Sequence, residues 1–345
     1  EISRRESGNR RNDPMRCPEC KHTQKYREGT RCKKCGYQFV FRKSADGITD
    51  SALRQMIQRL SDSGQQAFTA TQLALAICRS WRQKRGAFIG CGVVVVVVAL
   101  LIGFGQHALL GLAVFLILSI PIIVGWWGRA RLPFHKARKL VDRYHQAHPI
   151  GALADGRAFR QQTAPADLED PHYAPERILV VERDDLVDML IRNRFHLNHK
   201  TAVVSRSGYP ERVFAACREF LRNHPDTPVQ VLHDASTSGF GLTAQLAADP
   251  NWQFARQRLT DLGISRAALD GGASLPWLPP DASRRNGALS ADPAKMLRAG
   301  RRVPVDYIGP KPLLNLLGAA VVGGALLLTP EMLNAVEAGV EIDYG

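Results

Sequence analysis

The chain has 345 residues, 45% of them hydrophobic, which is enough for two or three compact units and excludes a wholly disordered protein. Lys and Arg number 46 against 32 Asp and Glu, a net charge of +14, which points to an anionic partner such as nucleic acid or a membrane surface. Seven cysteines, four of them at metal-ligand spacing, do not read as a disulfide framework and imply a reducing compartment.

In chain order, residues 1–14 form an arginine-rich polar tail, opening on Glu1 rather than Met as a chain with residues ahead of it would. Residues 15–43 carry the most specific signal. Cys17-Pro-Glu-Cys20 and Cys32-Lys-Lys-Cys35 are two CxxC knuckles with eleven residues between them. Two residues between thiolates let both sulfurs of a tight turn face one ion, and two knuckles complete a tetrahedron around Zn²⁺. Gly36 suits the positive φ of such a knuckle, and Lys21, Lys33 and Lys34 lower the cost of holding four thiolates. Tyr37, Phe39 and Phe41 alternate as a short strand would. The pattern looks like a zinc ribbon with structural zinc, and the pairing of the knuckles argues against a redox CxxC. His22 is expected in an exposed loop.

Residues 44–85 read as a linker and amphipathic helices, with Leu53, Met56, Ile57 and Leu60 at helical spacing. In the 86–128 region two apolar runs, 87–104 and 109–127, are each close to the ~20 residues of a membrane-spanning helix. Arg79, Arg82, Lys84 and Arg85 precede them, and Arg129, Arg131, Lys136, Arg138 and Lys139 follow. The positive-inside rule then predicts a transmembrane hairpin in the inner (plasma) membrane with the flanking domains facing the cytoplasm. Residues 129–175 read as a basic helix and a linker. Residues 251–345 form a C-terminal region in which 259–269 is expected to be helical. Its apolar run 313–329 is either a third, short span or a helix buried against the domain.

The stretch 176–250 holds three β-branched runs, at 178–181, 202–204 and 229–232, separated by two helical patterns. Leu186, Met189 and Leu190 share one helical face. Val213, Phe214, Cys217, Phe220 and Leu221 share another, with Pro210 suited to a first helical position. Strand, helix, strand, helix, strand predicts a parallel sheet with right-handed crossovers. Glu182 and Asp234 each follow a strand, where polar groups converge on a crevice.

These residues resemble a family. ILVVE, then SGYPERVFAACREFL, then HDASTSGFGL look like the TOPRIM domain of the topoisomerase VI A subunit and its meiotic double-strand-break relatives. The resemblance covers about a fifth of the chain. It implies a catalytic acidic role for Glu182 and a Mg²⁺ site at Asp234. The family's second metal-binding Asp is replaced here by Ser236, a poorer ligand. The nucleophilic tyrosine of the family's winged helix has no convincing counterpart, since only Tyr144 and Tyr173 lie between the apolar runs and Glu182. Arg183, Arg206 and Arg212 are candidates to meet a phosphate backbone. His233 is a candidate to orient Asp234, and the Ser238-Gly239-Phe240-Gly241 turn could approach a phosphate through its N–H groups.

The expected fold class is a multi-domain membrane protein: zinc ribbon, transmembrane hairpin, and an α/β TOPRIM-like domain with a parallel sheet. The expected function is a membrane-anchored binding or regulatory protein recognising nucleic acid or a protein partner. The alternatives are a Mg²⁺-dependent phosphodiester-processing enzyme using Glu182 and Asp234, and a scaffold that never touches nucleic acid.

Overall fold

The computed structural model describes residues 14–82, 133–160, 175–252, 259–270, 275–280 and 292–324. They sort into two compact units, one built on residues up to Asp50 with 74–82 and 133–140, the other on 51–73 and the described residues from Val141 on.

In the first unit, β1 (Pro14–Arg16) and β2 (Thr23–Lys25) pair antiparallel, with Arg16 opposite Thr23 and Met15 opposite Gln24. The middle residue of each strand points inward and the outer two are exposed. A core too small to stand alone forms from Met15, Cys17, Cys32 and Phe39, with Tyr26 and Tyr37 packed against it. The Tyr37–Phe41 segment folds back on 30–32 through one bridge, Arg31 to Gln38. The buried Asp50 carboxylate then accepts from the N–H groups of Val40 and Phe41, both at 2.9 Å.

The second unit is a four-stranded parallel sheet in the order β6-β5-β7-β8, with β5 Arg177–Val181, β6 Thr201–Ser205, β7 Val229–Leu232 and β8 Leu259–Asp261. The three apolar runs of the sequence are β5, β6 and β7. The fourth strand replaces the start of the helix expected at 259–269, where the helix is confined to Arg266–Asp270. At the sheet edge, three half-buried residues with no apolar run suffice to extend the ladder.

From β5 the chain crosses one way to β6 and then back past β5 to β7. Crossovers of one hand but opposite direction place their helices on opposite faces. One face packs Ile178, Val180, Ala202, Val204, Val229 and Val231 against Val213, Cys217 and Leu221 of helix Glu211–Asn223 and Leu242 and Leu246 of helix Leu242–Ala248. Helix Asp184–Arg192, with Leu186, Met189 and Leu190 buried as the periodicity predicts, follows β5. Pro210 lies one position before the Glu211 helix start, because its ψ of 140° is still extended.

A short strap completes this unit. β3 (Phe68–Thr69) pairs parallel with β4 (Leu153–Ala154), and the Asn193 side chain bonds both the N–H and the carbonyl of Ala67 at 2.9 Å. Thr69 and Gln72 exchange side-chain-to-backbone bonds as a capping box for the helix that follows.

The membrane expectation is corrected. Among the described residues no helix is long and apolar enough to cross a membrane. The fold class the structure gives is an α/β fold with a four-stranded parallel sheet and a cysteine cluster. The integral-membrane partner and the inner-membrane, cytoplasm-facing address fall with that expectation. The predicted hairpin at 86–128 lies outside the described residues. The supposed third span is helix Pro310–Gly323, 14 residues long, closed by Gly324 in the left-handed region and burying Leu313, Leu316, Leu317 and Val321. The Gln230 amide donates to the Val321 carbonyl at 2.8 Å, which fastens this helix to the sheet. Residues 325–329 lie outside the described residues.

Candidate metal centre and switch-point crevice

The ligand atoms of Cys17, Cys20, Cys32 and Cys35 all lie within 4.8 Å of one another. Cys17 Sγ and Cys35 Sγ are 3.5 Å apart, as are Cys20 Sγ and Cys32 Sγ. Each knuckle is closed by backbone bonds of one kind: Lys21 N donates to the Cys17 carbonyl at 3.1 Å, and Gly36 N to the Cys32 carbonyl at 2.8 Å. The residue after each knuckle takes a positive φ, 76° at Gly36 and 62° at Lys21. A lysine is strained there, by about 1–2 kcal/mol, and the first knuckle tolerates it.

Burial raises Cys32, but the N–H groups of Cys35 and Lys34 and the neighbouring thiols outweigh it and bring the thiol down to about 7. Burial also raises Cys17. Four convergent sulfurs with backbone donors aimed at them suit a divalent soft-to-borderline ion. The four cysteines could hold a metal ion, consistent with Zn²⁺, and four ligands leave it no open position. His22 is exposed and stands outside the cluster, as expected.

The second candidate lies where the strand order reverses, at the carboxyl ends of β5 and β7. Glu182 Oε2 accepts from Asp234 N at 3.0 Å and Oε1 from Ser238 Oγ at 3.1 Å. The Asp234 carboxylate is 1% exposed. Its Oδ1 accepts from Val305 N at 2.9 Å and its Oδ2 from Arg302 Nη1 at 3.1 Å, with Arg183 Nη1 at 3.8 Å. Arg183 also pairs with the fully buried Asp306 at 2.8 Å and with Asp185 at 3.3 Å. Asp306 in turn accepts from the Thr69 hydroxyl. The three carboxylates keep Arg183 protonated against its burial. Burial raises Asp234 to about 6, with Asp306 and Glu182 adding to the rise and Arg183 and Arg302 opposing it.

The sequence therefore brings Glu182 and Asp234 together, but with two guanidinium groups around Asp234. Among the described residues the four cysteines are the only group of three or more His, Cys, Asp or Glu placed to hold a metal ion, and Mg²⁺ gains no support. Ser236 Oγ accepts from Gly239 N at 2.8 Å and meets Ser238 Oγ at 3.0 Å, so it shapes a turn. That turn also uses its other donors internally: Phe240 N bonds the Ser236 carbonyl and Gly241 N the Ser238 carbonyl. A Cβ on Gly239 would stand 2.2 Å from the Asp234 carbonyl, which requires glycine there.

His233 is 1% exposed, with Nδ1 2.7 Å from the Asp234 carbonyl and Nε2 3.0 Å from the Asp261 carboxylate. Arg206 and Arg212 are exposed, whereas Arg183 is spent in the crevice. Tyr144 is buried, and Tyr173 lies outside the described residues. Sequence reasoning missed Thr69, Asp185, Arg302 and Asp306. Asp306 and Arg302 lie about 70 residues beyond Asp234 in a Pro-containing segment with no periodic pattern, brought in by the Ala235–Val303 bridge and the Val305 N–H bond to Asp234.

Comparison of the chain with protein-family models, with curated proteins and with solved structures finds no match.

Proposed function

We propose that the protein is a zinc-bearing nucleic-acid-binding module joined to an α/β unit that works without turnover. The observation that carries the reading is the four-cysteine cluster inside a basic shell. Arg16, Lys21, Lys25, Arg27, Lys33 and Lys34 are exposed around it, against Glu19 and Glu28. Even with a −2 charge on a Zn²⁺–tetrathiolate centre, that surface is positive. A polyanion gains by releasing counterions onto it.

The α/β unit fits a degenerate TOPRIM-like domain. Support for a non-catalytic role comes from the crevice, where Glu182, the catalytic acid of the resemblance, and Asp234, its Mg²⁺ ligand, already accept donors from the chain itself. Arg183 and Arg302 supply there the positive charge an ion would bring.

The test is binding of a fluorescent oligonucleotide by the full chain, before and after stripping zinc with a chelator. Affinity is expected to fall at least tenfold on stripping and to return with added Zn²⁺. Binding that persists unchanged in metal-free protein overturns the assignment to the ribbon.

A further inference from the structure

Resting on that reading, we infer that the cysteine-cluster unit binds double-stranded nucleic acid through its phosphate backbone, with little preference for sequence and no preference for single strands. The inference comes from which side chains the fold leaves outward and which it uses up.

Sequence is read by groups that match base edges, above all Asn and Gln amides and bidentate Arg. Among the described residues of this unit both amides are committed to the fold. Gln24 is buried: its Nε2 donates to the carbonyls of Gly29 and Arg31, at 3.1 and 2.8 Å, and its Oε1 accepts from Lys33 N at 3.0 Å. Gln38 accepts from Arg31 Nε at 3.1 Å and donates to Thr30 Oγ1 at 3.2 Å. One amide therefore ties the two knuckles together and the other ties the second hairpin and holds Arg31, which leaves the exposed Arg16 and Arg27 without an amide partner for reading a base pair.

Single strands are gripped by aromatic faces on which unstacked bases lie. Those faces are engaged as well. The Arg42 guanidinium covers the Tyr26 ring, 3.4 Å from its centroid. Tyr37 meets Phe39 edge-on at 5.5 Å, and Phe39 and Phe41 are buried.

Among the described residues the charged side chains that remain outward are mostly cationic, Arg16, Lys21, Lys25, Arg27, Lys33 and Lys34 against Glu19 and Glu28. On the β1–β2 ribbon the exposed positions include Arg16 and Lys25, on the side opposite the inward Met15 and Gln24. Lys34 stands exposed at the tip of the second knuckle. Cationic side chains on a short two-stranded ribbon suit the regular phosphate rows of a duplex, which position a protein without informing it of sequence.

The experiment uses the full zinc-loaded chain and three labelled probes of equal length: a mixed-sequence duplex, a duplex of scrambled sequence and one strand of the first. Affinities are measured by fluorescence anisotropy across a salt series. The two duplexes are expected to bind within about twofold of each other, and the single strand no more tightly than either. The combined variant Arg16→Gln, Lys25→Gln, Lys34→Gln is expected to flatten the slope of log K against log salt by up to about 2.7, at about 0.9 per phosphate contact. Retained zinc content and circular dichroism establish that the variant is folded. A single strand bound tenfold more tightly, a tenfold effect of scrambling, or an unchanged slope in the folded variant overturns the inference while nucleic-acid binding stands. Failure of all three probes to bind overturns the function proposed above.

Discussion

The two polar centres of this chain solve opposite problems. In the cysteine cluster, four groups able to become anions converge with backbone donors and one another as their protein partners, an arrangement that suits a cation. In the crevice between β5 and β7, acidic groups also converge, but the chain brings its own cations. Arg183 follows β5 and Arg302 arrives from the distant 301–303 segment. The difference teaches that proximity of acidic residues is a poor sign of an ion site until the remaining partners are counted. Four thiolates spaced by sequence have nowhere else to turn, whereas two carboxylates at strand ends can be satisfied from anywhere in the chain.

The largest effect that would break this comparison is expected at the cluster. Structural zinc contributes about 10–16 kcal/mol of apparent binding energy in small Cys-rich units. Cys17→Ser, at the most buried ligand, is therefore expected to take bound zinc from one per chain to none, measured by elemental analysis. Amide exchange protection of residues 14–41 should collapse while that of the sheet persists. A variant that kept its zinc would overturn the four-ligand assignment.

The crevice should respond less strongly and without any metal dependence. Arg183→Met leaves Asp234 and Asp306 buried beside each other with one cation fewer, and removal of one partner from a buried pair costs about 3–5 kcal/mol. Urea unfolding should show that loss, and 10 mM Mg²⁺, taken as roughly saturating for a weak hard-cation site, should not restore it. Recovery on adding Mg²⁺ would make the carboxylates an ion site after all. Next in size, Gly239→Ala forces a Cβ against the Asp234 carbonyl, and a loss of about 1–3 kcal/mol is expected in the same assay, as for other overpacked sites.

The same contrast explains what could be read in advance. The cluster was legible because all four ligands lie within nineteen residues and their spacing is itself the geometry. The central sheet was legible because β5, β6 and β7 are β-branched runs buried on both faces, which stand out against amphipathic helices. β8 was not, since a three-residue edge strand, Leu-Thr-Asp, has neither length nor apolar pattern. Glu182 and Asp234 were placed correctly at strand ends, but their partners were invisible. Thr69 precedes Asp234 by 165 residues and Asp306 follows it by 72, and no local pattern links them. Helix Pro310–Gly323 stayed undecided for a related reason: its apolar run reads alike for a lipid and for a protein interior, and its glycine stop and its bond from Gln230 settle on the buried helix.

The smallest effect concerns His233 and is resolved by pH. Both ring nitrogens face acceptors, the Asp234 carbonyl and the Asp261 carboxylate, so the geometry favours an imidazolium. Burial works against that charge, yet the Asp261 and Asp234 contacts outweigh it, and the His233 pKa is raised above its ordinary value. A group that binds its proton more tightly in the folded state contributes its full stabilisation below its unfolded pKa, about 6.5, and loses it as pH rises through the folded value. Asp234, raised to about 6, acts in the same direction, but its contribution is largely gone by pH 6.5. Asp261, lowered by His233, acts in the opposite direction and only at acid pH. Asp234 is common to the parent chain and to Asp261→Asn, so above about pH 6.5 the difference between the two proteins isolates His233 within this cluster. Unfolding midpoints should fall across it in the parent chain and stay nearly flat in Asp261→Asn. Equal slopes in the two proteins would mean that the ring is neutral at Nε2 and that its contact with Asp261 carries no charge.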